Sequence, residues 1–152
     1  MNAETTKTTT PRQTWMGLLA RASGDDLARL WAAYGTVPSH RVLRAPEIGG
    51  VMVRGRMGAV GDAFNLGEMS VTRASVRLDD GTDGHAYVQG RSRDKALQAA
   101  LVDALMQTGA ADAVQAAVLT PLSDLETTRR ATRAAKAAAT KVDFFTMVRG
   151  ED

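Results

Sequence analysis

The chain has no cysteine, which excludes disulfides, iron–sulfur ligation and thiolate zinc sites and leaves nothing that argues for an oxidising compartment. No stretch approaches the ~20 apolar residues that span a bilayer. The start, Met1-Asn2-Ala3-Glu4-Thr5, lacks the basic and apolar regions of a secretory signal. A cytoplasmic address is the resulting expectation. Excess charge is missing as well: 19 Lys plus Arg nearly balance 17 Asp plus Glu. A formal charge of only +2 supplies no strong nonspecific grip on nucleic acid. Aromatics make up 5% of the residues, yet Phe144 and Phe145 stand side by side near the C-terminus, where most chain ends fray unless something holds them. That end needs a dock, on the chain's own core or on another subunit.

What is present suits one α+β domain. A chain of 152 residues, 44% apolar, is long enough to bury about 68–70% of its unfolded surface in a single core. Residues 1–10 read as a disordered polar leader, 11–141 as the domain and 142–152 as a docking tail. Pro11 suits the first helical position, and Trp15, Leu18, Leu19 and Ala22 recur at helical spacing. Ser23 and Asp26 have the spacing of a capping box, Leu27, Leu30, Trp31 and Tyr34 come next, and Gly35 is a stop, so a helical hairpin is expected. Both tryptophans read as core anchors.

After the hairpin, the pattern predicts a mainly antiparallel sheet of about four strands. Arg41 to Ala45 reads as an edge strand ended by Pro46, and Val51, Val53 and Met57 alternate with Met52, Arg54 and Arg56. Ala74, Val76 and Leu78 alternate with Arg73, Ser75 and Arg77, and Gly84, Ala86 and Val88 with His85, Tyr87 and Gln89. A two-residue turn would mix apolar and polar positions on one face. A three-residue loop, Asp79-Asp80-Gly81 with Gly81 left-handed, pairs Val76 with Gly84, Ala74 with Ala86, Arg77 with Asp83 and Arg73 with Tyr87. The last two pairs are an ion pair and a candidate cation–π contact. Met69 and Val71 alternate in the opposite phase, which predicts a bulge near Thr72.

Helices return at the end. Ser92 caps one that carries Leu97, Leu101 and Leu105 and stops at Gly109. Asp112 to Val118 is weakly helical, Pro121 biases Thr120 toward an extended shape, and Ser123-Asp124-Leu125-Glu126 reads as a capping box opening the last helix. That helix carries Arg129, Arg130, Arg133, Lys136 and Lys141. Its alanines favour a packing surface over a nucleic-acid surface.

Catalytic machinery is scarce. His40 and His85 have no cysteine partner and no metal-site spacing and read as surface residues. Counting from Asp79, the twelfth position of a calcium loop is Gly90 rather than glutamate, so Asp79, Asp80 and Asp83 belong to a turn. Gly55, Gly58 and Gly61 beside Arg54 and Arg56 form the only phosphate-like pattern, without the ending of a phosphate loop. Arg73 joins them if the strands pair suitably, giving Arg56, Gly58, Gly61 and Arg73 as candidate phosphate contacts; glycines serving turns are the competing reading.

The tail, Val142-Asp143-Phe144-Phe145-Thr146-Met147-Val148-Arg149-Gly150, resembles the C-terminus of the PhnG family, a subunit of the bacterial carbon–phosphorus lyase system that degrades phosphonates. So do Arg56-Met57-Gly58, Gly61, Phe64, Gly67, Thr72-Arg73-Ala74, Val76-Arg77-Leu78, Asp80-Gly81-Thr82, Gly84 and Val88-Gln89-Gly90-Arg91, in order and at similar spacing. Ala100-Leu101 and Asp103-Ala104-Leu105-Met106-Gln107 extend the likeness. It departs at Thr5 to Thr10, at Glu68, where the family pattern leads one to expect aspartate, and along Gly109 to Val118. The resemblance implies a non-catalytic but required subunit, without cofactor or metal, of the carbon–phosphorus lyase core. Its implied partners are PhnI-, PhnH- and PhnJ-like subunits, two copies of each. The implied activity of the assembly is ribose 1-methylphosphonate 5-triphosphate synthesis from ATP and an alkylphosphonate. The alternative is a small phosphate- or nucleotide-binding module using the arginine and glycine face. Phe144, Phe145, Met147, Val148 and Arg149 are the expected partner-binding residues.

Overall fold

The computed structural model describes residues 9–142. Two helices open it, α1 (Pro11–Arg21) and α2 (Gly24–Tyr34). Thr10 and Gln13 close a reciprocal capping box: the Thr10 hydroxyl accepts from the Gln13 N–H at 3.3 Å, and the Gln13 side-chain oxygen accepts from the Thr10 N–H at 2.9 Å. Ser23 caps α2 through the Asp26 N–H at 3.4 Å, and Gly35 ends it at φ 75°. Leu19, Leu27, Leu30 and Trp31 are buried, the face expected from their spacing.

Among the described residues the sheet has three strands in the order β1-β2-β3, all antiparallel: β1 (His40–Arg56), β2 (Ala63–Leu78) and β3 (Asp83–Gln89). The expectation of about four strands fails because Pro46 does not end a strand. Instead β1 runs straight through it. The register against β2 slips between Arg44 and Glu47, so the proline sits in an irregularity on an edge strand, where its missing N–H costs no ladder bond.

The β2–β3 hairpin has the register expected of a three-residue loop: Arg77 faces Asp83, Val76 faces Gly84, Ala74 faces Ala86 and Arg73 faces Tyr87. Gly81 holds φ 89°, and the Leu78 N–H reaches Thr82 O at 2.9 Å. Gly84 answers a different need, since a Cβ there would lie 2.0 Å from Ala100 O on the helix above. No bulge occurs at Thr72; pairing is continuous from Val71 to Arg77. The phase puzzle resolves because Thr72 itself takes the core-facing position, fully buried, with its hydroxyl donating to Gly90 O at 2.8 Å.

Ser92 caps α3 (Arg93–Leu105) through the Lys95 N–H at 3.1 Å, and the helix ends at Met106, ahead of Gly109. The stretch from Ala111 onward is more helical than its sequence suggests. A short α4 (Ala111–Val114) leads through a π-helical turn, Gln115–Leu119, directly into α5 (Thr120–Ala139). Thr120 is helical (φ −63°, ψ −50°), not extended, and Ser123 lies inside α5 rather than capping it. Pro121 has no N–H to give the preceding turn; it sits in the first turn of α5, where that loss is harmless. The π turn supplies the transition, with the Thr120 N–H reaching back to Gln115 O.

One core joins these pieces. Ala74, Val76 and Leu78 of β2 and Ala86 and Val88 of β3 meet Ala96, Ala99, Ala100 and Ala104 of α3, with Leu19, Leu27, Trp31, Val118 and Leu119 closing the far side. The small side chains of α3 let it lie close on the sheet. Helices cover β2 and β3, whereas β1 stands at the open edge with Val42 and Leu43 exposed.

Candidate functional site: a projecting ribbon and an arginine cluster

β3 pairs with β2 only from Val71 onward, but β1 and β2 continue together to Arg56 and Ala63. Among the described residues, positions 49–70 therefore form a two-stranded ribbon without a third strand. Its tip is a single 3₁₀ turn, Met57–Ala59. Exposed large apolar residues gather here: Met52, Val53, Met57, Val60, Phe64 and Leu66, with Met57 77% and Val60 94% accessible. Cross-strand pairing fixes their faces. Met52 opposite Glu68 lies on the side that carries Thr72, while Val51 opposite Met69 and Val53 opposite Gly67 lie on the other. Exposed apolar side chains thus stand on both sides of the ribbon, with Met52 set among Glu68, Ser70 and Arg54 on its side.

The expected phosphate-contacting residues divide between two places. Arg56, Gly58 and Gly61 share the tip, where the Arg56 guanidinium donates to Gly61 O at 3.2 Å and the Gly61 N–H donates to Met57 O at 3.2 Å. These glycines serve the turn, and the Gly61 N–H already has its acceptor. Arg73 sits ten residues along β2, roughly 33 Å of strand away. There its guanidinium pairs with Glu47 at 2.9 Å rather than with the ring of Tyr87. Phe144, Phe145, Met147, Val148 and Arg149 lie outside the described residues, as does most of the polar leader.

Tertiary packing makes a denser basic cluster that sequence reading missed. Arg129, Arg130 and Arg133 on α5 meet Arg21 at the end of α1 and Gln89 at the end of β3 around a concavity of about 200 Å³. Glu126 pairs with Arg21 at 2.8 Å and Arg130 at 2.9 Å, and Arg129 reaches Asp26 at 3.0 Å. The Arg21 hydrogen bond is the first cause holding the Glu126 carboxyl below its ordinary pKa. The i, i+4 spacing of Arg129 and Arg133 gave one signal; Arg21 and Gln89 gave none.

Two buried polar groups brace this scaffold. Asp103, fully buried on α3, accepts from Arg12 Nε at 3.1 Å and Nη2 at 2.7 Å, from Trp15 Nε1 at 2.8 Å and from the His85 N–H at 2.9 Å. Lys95 donates to Ala20 O at 3.0 Å and Gln89 O at 3.1 Å. Burial pushes its pKa down. Beyond Arg129, α5 is exposed on every side as far as Ala139, a second element reaching past the core. Among the described residues no helix is long and apolar enough to cross a membrane, and no group of acidic, histidine or cysteine side chains could hold a metal ion.

A small α+β scaffold that, among its described residues, leaves a ribbon and half of its last helix uncovered has the build of an assembly subunit. Residues 10–150 match the family described as "Phosphonate metabolism protein PhnG", and the chain belongs to that family. It is 45% identical over 141 residues to the "Alpha-D-ribose 1-methylphosphonate 5-triphosphate synthase subunit PhnG" of Rhizobium meliloti (strain 1021), covering 93% of this chain and 90% of that protein.

Proposed function

We propose that this chain is a non-catalytic but required subunit of a cytoplasmic carbon–phosphorus lyase core. It acts with a PhnI-like subunit in forming ribose 1-alkylphosphonate 5-triphosphate from ATP and an alkylphosphonate. PhnH- and PhnJ-like subunits complete the assembly, two copies of each. The observation that carries the reading is the near full-length likeness to a protein named as a synthase subunit. The ribbon and the exposed half of α5 support it, because none of the described residues covers them and exposed apolar surface of this kind suits a partner. The tail is the third contact, with Phe144, Phe145, Met147 and Val148 as apolar anchors and Arg149 at its rim.

One reconstitution tests this. The complex should release adenine from ATP in the presence of methylphosphonate, and the isolated chain should release none. A chain lacking residues 142–152 should keep its circular dichroism spectrum yet fail to co-purify with the PhnI-like subunit. Adenine release by the isolated chain that survives repurification and disappears on mutating one named residue would overturn the non-catalytic role. Unfolding of the truncated chain would assign the phenylalanines to its own core.

A further inference from the structure

We infer that the β1–β2 ribbon is an insertion arm that seats in an apolar cleft of a partner subunit of the synthase, with acidic side chains deep in the cleft where the arm's tip comes to rest. The inference rests on the subunit reading above and names the surface that reading leaves open.

Three features choose this occupant. The first is that apolar side chains point both ways: Met52 on one side, Val51, Val53 and Met69 on the other, with Met57 and Val60 at the tip. A second copy stacked across a two-fold axis covers one face and leaves the other wet, whereas a cleft covers both. Second, size agrees. Eight residues of strand, Gly49 to Arg56, extend about 26 Å at ~3.3 Å per residue, and two strands are ~10 Å broad. One face therefore offers on the order of 260 Å². Both faces, the edges and the tip approach the ~800 Å² that each side of a standard interface buries.

Third, charge is placed at the far end. Among the described residues, Arg54 and Arg56 meet only the carbonyls of Ala63 at 3.4 Å and Gly61 at 3.2 Å, with no carboxylate in ion-pair reach. Arg44, Arg73 and Arg77, nearer the core, all have carboxylate partners. Two guanidiniums left to backbone oxygens beside an apolar tip suit carboxylates supplied from outside. Gly49 and Gly67 along the ribbon leave its backbone open to close approach by the cleft walls, whereas Gly50 and Gly55 are covered by the side chains of Glu68 and Leu66.

The test uses the full chain co-expressed with the PhnI-, PhnH- and PhnJ-like subunits. Met52→Glu and Val53→Glu alter opposite faces at exposed positions, so each isolated variant should keep the wild-type spectrum and melting temperature. Each should weaken capture of the partner subunits at least tenfold, and Arg54→Glu combined with Arg56→Glu should weaken it further at low salt than at high salt. Capture by wild type and both face variants alike overturns the arm. Loss of self-association with partner capture intact assigns the ribbon to a second copy and overturns it equally. Failure of the wild-type chain to capture any partner subunit overturns the functional reading and the arm with it.

Discussion

Replacing Asp103 with alanine removes the acceptor of four hydrogen bonds at once, from α1, from β3 and from the indole of Trp15. The Trp15 Nε1–H and the His85 N–H lose their partner, and an orphaned donor under the fold costs about 1–3 kcal/mol. Arg12 is 40% exposed, so its guanidinium turns to water and its share shrinks to about 1 kcal/mol. The sum is about 4 kcal/mol. For a domain of this size, at ~3 °C per kcal/mol, that lowers the melting temperature by about 12 °C. Asp103→Asn keeps one acceptor oxygen but turns an amide donor toward the remaining donors, and should lose about half as much. Urea titration followed by circular dichroism reads both values. A loss under ~1 kcal/mol for the alanine variant would show that the buried carboxylate does not hold α1 to the sheet.

Gly81→Val should cost about 1–3 kcal/mol, because φ 89° is closed to a β-branched residue. Asp83→Ala breaks only a partly exposed ion pair and should move the urea midpoint far less; equal midpoints for the two would refute the loop's strain. Hydrogen bonds from Arg77 and Arg21 hold the Asp83 and Glu126 carboxyls below their ordinary pKa. Folded values below the unfolded ~4 mean that these groups add stability above that pH and lose it as pH falls through the folded values. The urea midpoint of the wild type should therefore drop as pH falls below ~4 more steeply than that of Arg21→Ala/Arg77→Ala, and parallel curves would refute the linkage.

Sequence alone disclosed much of what is local. The helical hairpin from Pro11 to Gly35, the Asp79–Asp83 hairpin with its register and the Ser92 cap come from spacing and turn chemistry within a few residues. Features decided by packing stayed hidden. Pro46 reads as a strand end unless one knows that β1 is an edge strand that tolerates a slipped register. Thr72 looks polar and outward until Gly90 O is placed beside its hydroxyl. Ser123 has capping spacing, yet a π turn upstream has already begun the helix. Of the candidate site, the tip residues Arg56, Gly58 and Gly61 do meet, since they lie within six positions of one another. Arg73 joins them only through a sheet pairing that the register denies, and the cluster around Glu126 joins residues more than a hundred positions apart, from Arg21 to Arg133. The ribbon's projection is invisible in sequence because alternation reports which way a side chain points, not whether anything waits there.

The π turn at Gln115–Leu119 acts as a phase setting. It holds one more residue than an α-helical turn, so removing that residue would rotate all of α5 by about 100° relative to α4. Leu122 would swing out of the core, and Arg129 would leave Asp26 for solvent. The long helix would remain as stable locally as before, yet its charged row would face a different compass direction. The angle at which this chain presents α5 to a neighbour is therefore written in a single supernumerary residue of the turn that carries Val118 and Leu119 into the core.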